Sequence, residues 1–189
     1  MQRAVQQALA LALGSEIRRS EVVSGGSICD AFACHLADGR TVFAKTKEGA
    51  DPGMFQAEAD GLAWLAQAGA LATPEVLAIS DTYLALEFIA PASPASDFDQ
   101  QFGRGLAMLH RAGADTLGAQ SDGFLATLHQ DNRPCANWAE FYALRRLEPL
   151  IARAVDHALV PTQWARSFQP LLENLSERLG DEETIARLH

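Results

Sequence analysis

The dipeptide Asp38-Gly39, set between two apolar runs, constrains this chain more than any other short feature. Ala31 to Leu36 and Thr41 to Lys45 read as strands, and glycine accepts the positive φ of a tight turn between them. The pair predicts a β-hairpin. Val22-Val23 adds a further β-prone run upstream, so Glu21 to Lys47 reads as an antiparallel meander.

A helix is predicted next. Asp51-Pro52-Gly53 opens it, Phe55, Ala59, Leu62, Ala63 and Leu65 recur at helical spacing, and Gly69 marks its stop. After Pro74, Val76 to Ile79 and Tyr83 to Ile89 read as two more strands around the turn Ser80-Asp81-Thr82. An opening helix is expected over Gln2 to Leu13, which is rich in Ala, Leu and Gln.

The prolines of Ala90 to Pro94 punctuate the chain and set the expected boundary between residues 1–90 and 91–189. Beyond it the period is helical over Phe98 to His110, Trp138 to Val155 and Pro161 to Leu179, with a Gly-, Asp- and Asn-rich stretch from Gly113 to Asn137. The fold class is therefore α+β: a five-stranded antiparallel lobe with a helix, followed by a mainly helical part.

Composition narrows the function. An apolar fraction of 48% with 21% charged residues is that of a globular protein. A formal charge of −9 with only 15 Lys and Arg argues against a nucleic-acid surface. No apolar run approaches the length needed to cross a bilayer, so no membrane role is expected. Cys29, Cys34 and Cys135 are odd in number and lack paired metal spacing, which disfavours a disulfide framework or a zinc site and fits a reducing cytoplasm.

The residues that could carry chemistry fall in a fixed order. Ser24-Gly25-Gly26-Ser27 lies between predicted strands and reads either as a plain hairpin turn or as a turn whose amides approach a phosphate. No Walker-type Gly-x-x-x-x-Gly-Lys is present. Strand alternation places Lys45 on the face of Phe43, where its charge needs a match. Glu58, thirteen residues on, can supply that match, and such a pair holds a lysine against nucleotide phosphates; otherwise both are surface charges. Glu87-Phe88-Ile89 stands just before the boundary, where position rather than residue identity carries any inference, since every peptide supplies backbone amides. His110 reads first as a histidine at a helix C-terminus and second as a catalytic base, and Trp138, Phe141, Tyr142, Arg145 and Arg146 read first as a packed amphipathic helix with its basic residues outward and second as a substrate contact.

Gly25-Gly26-Ser27, Phe43-Ala44-Lys45, Phe55 with Glu58 and Ala59, Tyr83 to Glu87, and Gly105 to His110 together resemble the fructosamine (ketosamine) kinase family, which belongs with the aminoglycoside phosphotransferase-like kinases. The segment Gly123 to Asn132, followed by Trp138, Phe141-Tyr142 and Arg146-Leu147, is similar to that family's Gln-x-Asn segment and Trp-x-x-Phe-Tyr helix. Ala126 stands where a glycine is usual and His129 where a proline is usual. Cys29 is displaced from the glycine-loop cysteine of some members.

The resemblance implies a kinase-like fold and ATP-dependent phosphorylation of a ketosamine hydroxyl, on a small molecule or a glycated protein, as deglycation repair. It implies that Gly25, Gly26 and Ser27 cover the phosphates, that Lys45 held by Glu58 neutralises them, and that Glu87, Phe88 and Ile89 seat adenine. The catalytic Asp and the Mg2+ ligands are expected beyond His189, which matches the opening histidine of the family's catalytic loop. The chain as written is then expected to be inactive, its second lobe partial and prone to self-association through an exposed apolar surface. An aminoglycoside- or choline-type kinase and a non-catalytic ATP-binding module are the alternatives.

Overall fold

The computed structural model describes residues 1–24, 28–180 and 185–187. Gly25, Gly26, Ser27 and His189 lie outside the described residues. The chain divides into two compact units, Met1–Arg111 and a second spanning Ala112–Arg187.

In the first unit, α1 (Arg3–Leu13) precedes the strands β1 (Ile17–Val22), β2 (Asp30–Leu36) and β3 (Thr41–Thr46). Then come α2 (Met54–Ala66), β4 (Val76–Ser80), β5 (Tyr83–Glu87) and α3 (Phe98–Arg111). The five strands form one antiparallel sheet in the order β1-β2-β3-β5-β4. The first strand lies earlier than Val22-Val23 predicts, because Ile17 is the residue that turns into the core while the rest of β1 is exposed. The expected strand to Ile89 ends at Glu87, where pairing with Val42 stops.

Alternation along β3 builds two cores. Val42 and Ala44 face Leu9 and Leu13 of α1, together with Phe32, Cys34, Tyr83 and Ala85. Phe43 turns the other way, toward Phe55 and Ala59 of α2 with Leu84 and Leu86. The sheet is thus covered on both faces, one helix to each, and this buries the apolar residues of β3 and β5. At the β2–β3 turn Gly39 has a φ of 91°, and the Leu36 amide donates to the Arg40 carbonyl at 2.9 Å, as the Asp38-Gly39 signal predicts.

In the second unit the polar stretch contains a hairpin that its composition conceals: β6 (Gly123–Leu125) pairs with β7 (Leu128–Gln130) around Ala126-Thr127. Trp138 to Val155, expected as one helix, is α4 (Trp138–Tyr142), a π-helical turn (Ala143–Leu147) and α5 (Glu148–Asp156). The run expected over Pro161 to Leu179 breaks into α6 (Thr162–Arg166), α7 (Gln169–Glu173) and α8 (Leu175–Leu179). Pro170, at the start of α7, lacks the N–H that an uninterrupted helix needs there. Among the described residues no helix is long and apolar enough to cross a membrane.

Candidate functional site

Lys45 stands near the end of β3, opposite Ala31 of β2 and Leu84 of β5. The small side chain of Ala31 and the aliphatic one of Leu84 offer no counter-charge, so the ammonium reaches across to α2. Its Nζ donates to both oxygens of Glu58, each at 2.7 Å. Glu58 is one residue before Ala59, whose side chain seats α2 on the sheet, which leaves the carboxylate at the flank of the buried stripe. The side chains remain 28% and 35% exposed. An ammonium has three N–H groups, so one is left for a phosphate oxygen. The described residues therefore fit a nucleotide phosphate at Lys45.

Cys29 packs at the edge of the same core, beside Phe43 and Phe55. Burial pushes its thiol up, against the lowering effect of Lys45 nearby. Lys47 lies two residues past Lys45 and donates from Nζ to the Ile28 carbonyl at 3.2 Å.

Glu87 ends β5, and its amide donates to the Glu75 carbonyl at 2.8 Å. Its carboxylate accepts from the Glu75 amide at 3.4 Å. These contacts tie Glu87 to the segment entering β4, and Phe88 and Ile89 follow beyond the strand. Ile89 is 62% exposed. His110 lies half-buried in the last turn of α3.

In the second unit the reading of Arg145 and Arg146 as outward basic residues is corrected. Both are partly buried, because the π-helical turn carries them toward the segment after β7. Arg145 donates from Nη1 to the Asp131 carboxylate at 3.1 Å, and Arg146 donates from Nη1 to the Asp131 carbonyl at 2.9 Å and from Nη2 to Oδ1 of Asn132. Arg133 closes on the same carboxylate and, with Arg145, holds Asp131 well below the usual carboxylate range. The Arg146 guanidinium also lies 4.7 Å from the Phe141 ring centroid. The arrangement is a structural knot around Asp131-Asn132. Sequence reasoning missed it, since nothing in the run from Trp138 marks the shift in helical period.

Among the described residues no group of three His, Cys, Asp or Glu could hold a metal ion.

A five-stranded antiparallel sheet whose central strand locks a lysine to the glutamate of the next helix defines the sheet-bearing lobe of a kinase-like fold. The fructosamine kinase family model matches residues 1–189, and the chain belongs to that family. It is 32% identical over 144 residues to a Synechocystis protein named a probable ketoamine kinase, covering 73% of this chain and 48% of that one. It is 28% identical over 181 residues to the chloroplastic protein-ribulosamine 3-kinase of Arabidopsis thaliana, covering 86% of this chain and 54% of the relative. A crystal structure from Thermobifida fusca, of a protein named a putative fructosamine-3-kinase, superposes with a TM-score of 0.86 at 32% identity, over 100% of this chain and 67% of that one. The chain spans about half the length of the curated relatives it matches.

Proposed function

We propose that this protein transfers the γ-phosphoryl group of ATP to a hydroxyl of a ketosamine, fructosamine or ribulosamine, free or on a protein lysine. The carrying observation is the Lys45–Glu58 pair, both contacts at 2.7 Å, within a chain of the fructosamine kinase family. The step forms a bond between the sugar oxygen and the γ-phosphorus and breaks the bond from that phosphorus to the β-phosphate oxygen. ADP and a proton leave. The phosphorylated adduct then decomposes, which makes the reaction a deglycation repair.

The residues of this chain carry the nucleotide side. Lys45, aimed by Glu58, offsets phosphate charge, and Phe88 and Ile89 present backbone groups to adenine beside Glu87. Gly25, Gly26 and Ser27 are assigned to the phosphates on the sequence alone. Magnesium accompanies ATP in such transfers by neutralising developing charge. None of the described residues is assigned to it. A reducing cytoplasm is the proposed compartment, in keeping with free Cys29, Cys34 and Cys135. Self-association through the second unit belongs to the same proposal, supported by Leu159, Trp164 and Leu179 at 75%, 42% and 45% exposure.

The test is an ADP-release assay with ribulose-lysine, fructose-lysine, an aminoglycoside and choline as acceptors, paired with ATP titration of the same protein. Turnover of the ketosamines alone is expected, with ATP binding lost in Lys45→Met. Turnover of only the aminoglycoside or choline reassigns the acceptor, and an absence of ATP binding ends the nucleotide reading.

A further inference from the structure

The strand that carries Lys45 does not stop contributing at its last paired residue. Asp30 pairs with Thr46 at the end of the β2–β3 ladder, and Cys29 and Lys47 are the next residues beyond it on either side. The Lys47 amide donates to the Thr82 carbonyl at 3.4 Å, which carries the pairing direction past the strand end. Alternation then places the Lys47 side chain on the face of Phe43 and Lys45. That is the face on which Cys29 packs against the Phe55 core. There the Lys47 ammonium meets the Ile28 carbonyl at 3.2 Å.

The two lysines are held differently. Lys45 is matched by a carboxylate, whereas among the described residues no carboxylate forms an ion pair with Lys47. A lysine that extends along a strand end toward a neutral carbonyl fixes backbone rather than balancing charge. The backbone it fixes is the Ile28–Cys29 step that leads into β2 beside the Lys45–Glu58 pair.

We infer that Lys47 is a positioning residue of the nucleotide site: its ammonium anchors the Ile28 carbonyl and so holds the Ile28–Cys29 step against the end of β3. The inference rests on the nucleotide reading above for its functional consequence, but the anchor itself is testable without nucleotide. Cys29 is the built-in reporter, half-buried next to the anchored carbonyl. Lys47 also lowers the Cys29 thiol pKa by its charge, so charge removal alone slows alkylation. Release of the backbone speeds it. The two effects have opposite signs.

The experiment compares wild type, Lys47→Met and Lys47→Arg by iodoacetamide labelling, with peptide-resolved mass spectrometry separating Cys29 from Cys34 and Cys135. Thermal melts confirm equal folding, and each protein is titrated with ATP and with adenosine. Lys47→Met is expected to speed Cys29 labelling about three- to tenfold and to weaken ATP by a similar factor, the range of one modest hydrogen bond. Adenosine binding is expected to stay unchanged. Lys47→Arg, which keeps both donor and charge, is expected to restore both readouts. Slower labelling in Lys47→Met, the sign of charge removal alone, overturns the anchor. Faster labelling with unaltered ATP affinity overturns the role in the nucleotide site, while failure of wild type to bind ATP overturns the nucleotide reading and that role with it.

Discussion

Lys45 and Glu58 meet through both carboxylate oxygens at 2.7 Å, joining the third strand of the sheet to the helix that covers it. With the side chains 28% and 35% exposed, the pair lies between a surface bridge, worth about 0–1 kcal/mol, and a buried one, whose disruption costs about 3–5 kcal/mol. Lys45→Met is therefore expected to lower stability by about 1–2 kcal/mol in urea titrations. Its effect on nucleotide should be larger, about thirtyfold or more in ATP affinity, because a charged contact to the phosphates is lost. Glu58→Gln keeps one acceptor and should lose less of both. Equal ATP binding by wild type and Lys45→Met rules out the assigned role.

This junction was legible in the sequence because strand alternation and the thirteen-residue spacing both act locally. The turn at Asp38-Gly39 was legible for the same reason. The helix α1 was visible by composition, but its place over Val42 and Ala44 was not, since only the closed sheet shows which face needs cover. The knot at Asp131 was hidden because a π-helical turn leaves no mark in apolar spacing. The β6–β7 hairpin was hidden because Ala126-Thr127 lacks the residues that normally announce a two-residue turn.

Ala126 carries the consequence of that choice. Its φ of 58° lies in the left-handed region, which costs a non-glycine residue about 1–2 kcal/mol. A glycine relieves this strain but loses about 0.5–1 kcal/mol through greater freedom of the unfolded chain. Ala126→Gly is thus expected to stabilise the second unit by about 0.5–1 kcal/mol, read as a rise in the urea midpoint with an unchanged slope. A lower midpoint shows that the hairpin needs the alanine side chain for packing.

The turn between β2 and β3 gives a pH prediction. Asp38 accepts from the Arg40 Nε at 2.9 Å, Nη2 at 2.7 Å and amide at 3.0 Å, while Arg40 Nη2 also reaches the Leu13 carbonyl at 2.8 Å. The Arg40 contacts lower the Asp38 pKa from 3.8 to about 2. A carboxylate with a depressed folded pKa contributes stability that is fully present above its unfolded value and is lost as pH falls through the folded one. The melting-temperature gap between wild type and Asp38→Asn should hold above about pH 4 and close toward pH 2. A gap that stays constant down to pH 2 refutes the linkage.

Gly118 is a position in the second unit where a single methyl group should be costly. Its φ is 128°, and a Cβ there would stand 2.3 Å from the Asn132 carbonyl oxygen and 3.3 Å from the Phe141 ring. The obstacle is backbone, so it cannot rotate away. The same carbonyl accepts from the Ala119 amide at 3.2 Å, and the Asn132 amide donates to the Asp122 carboxylate at 2.9 Å. Moving Asn132 therefore also strains its contact with Arg146 and, through it, the Asp131 knot. Overpacking alone costs about 1–3 kcal/mol and an unfavourable backbone adds about as much, so Gly118→Ala is expected to destabilise by about 3 kcal/mol or more. Urea titration followed in parallel by tryptophan fluorescence and far-ultraviolet circular dichroism reads that loss. A midpoint equal to wild type shows that the segment after β7 can yield without cost.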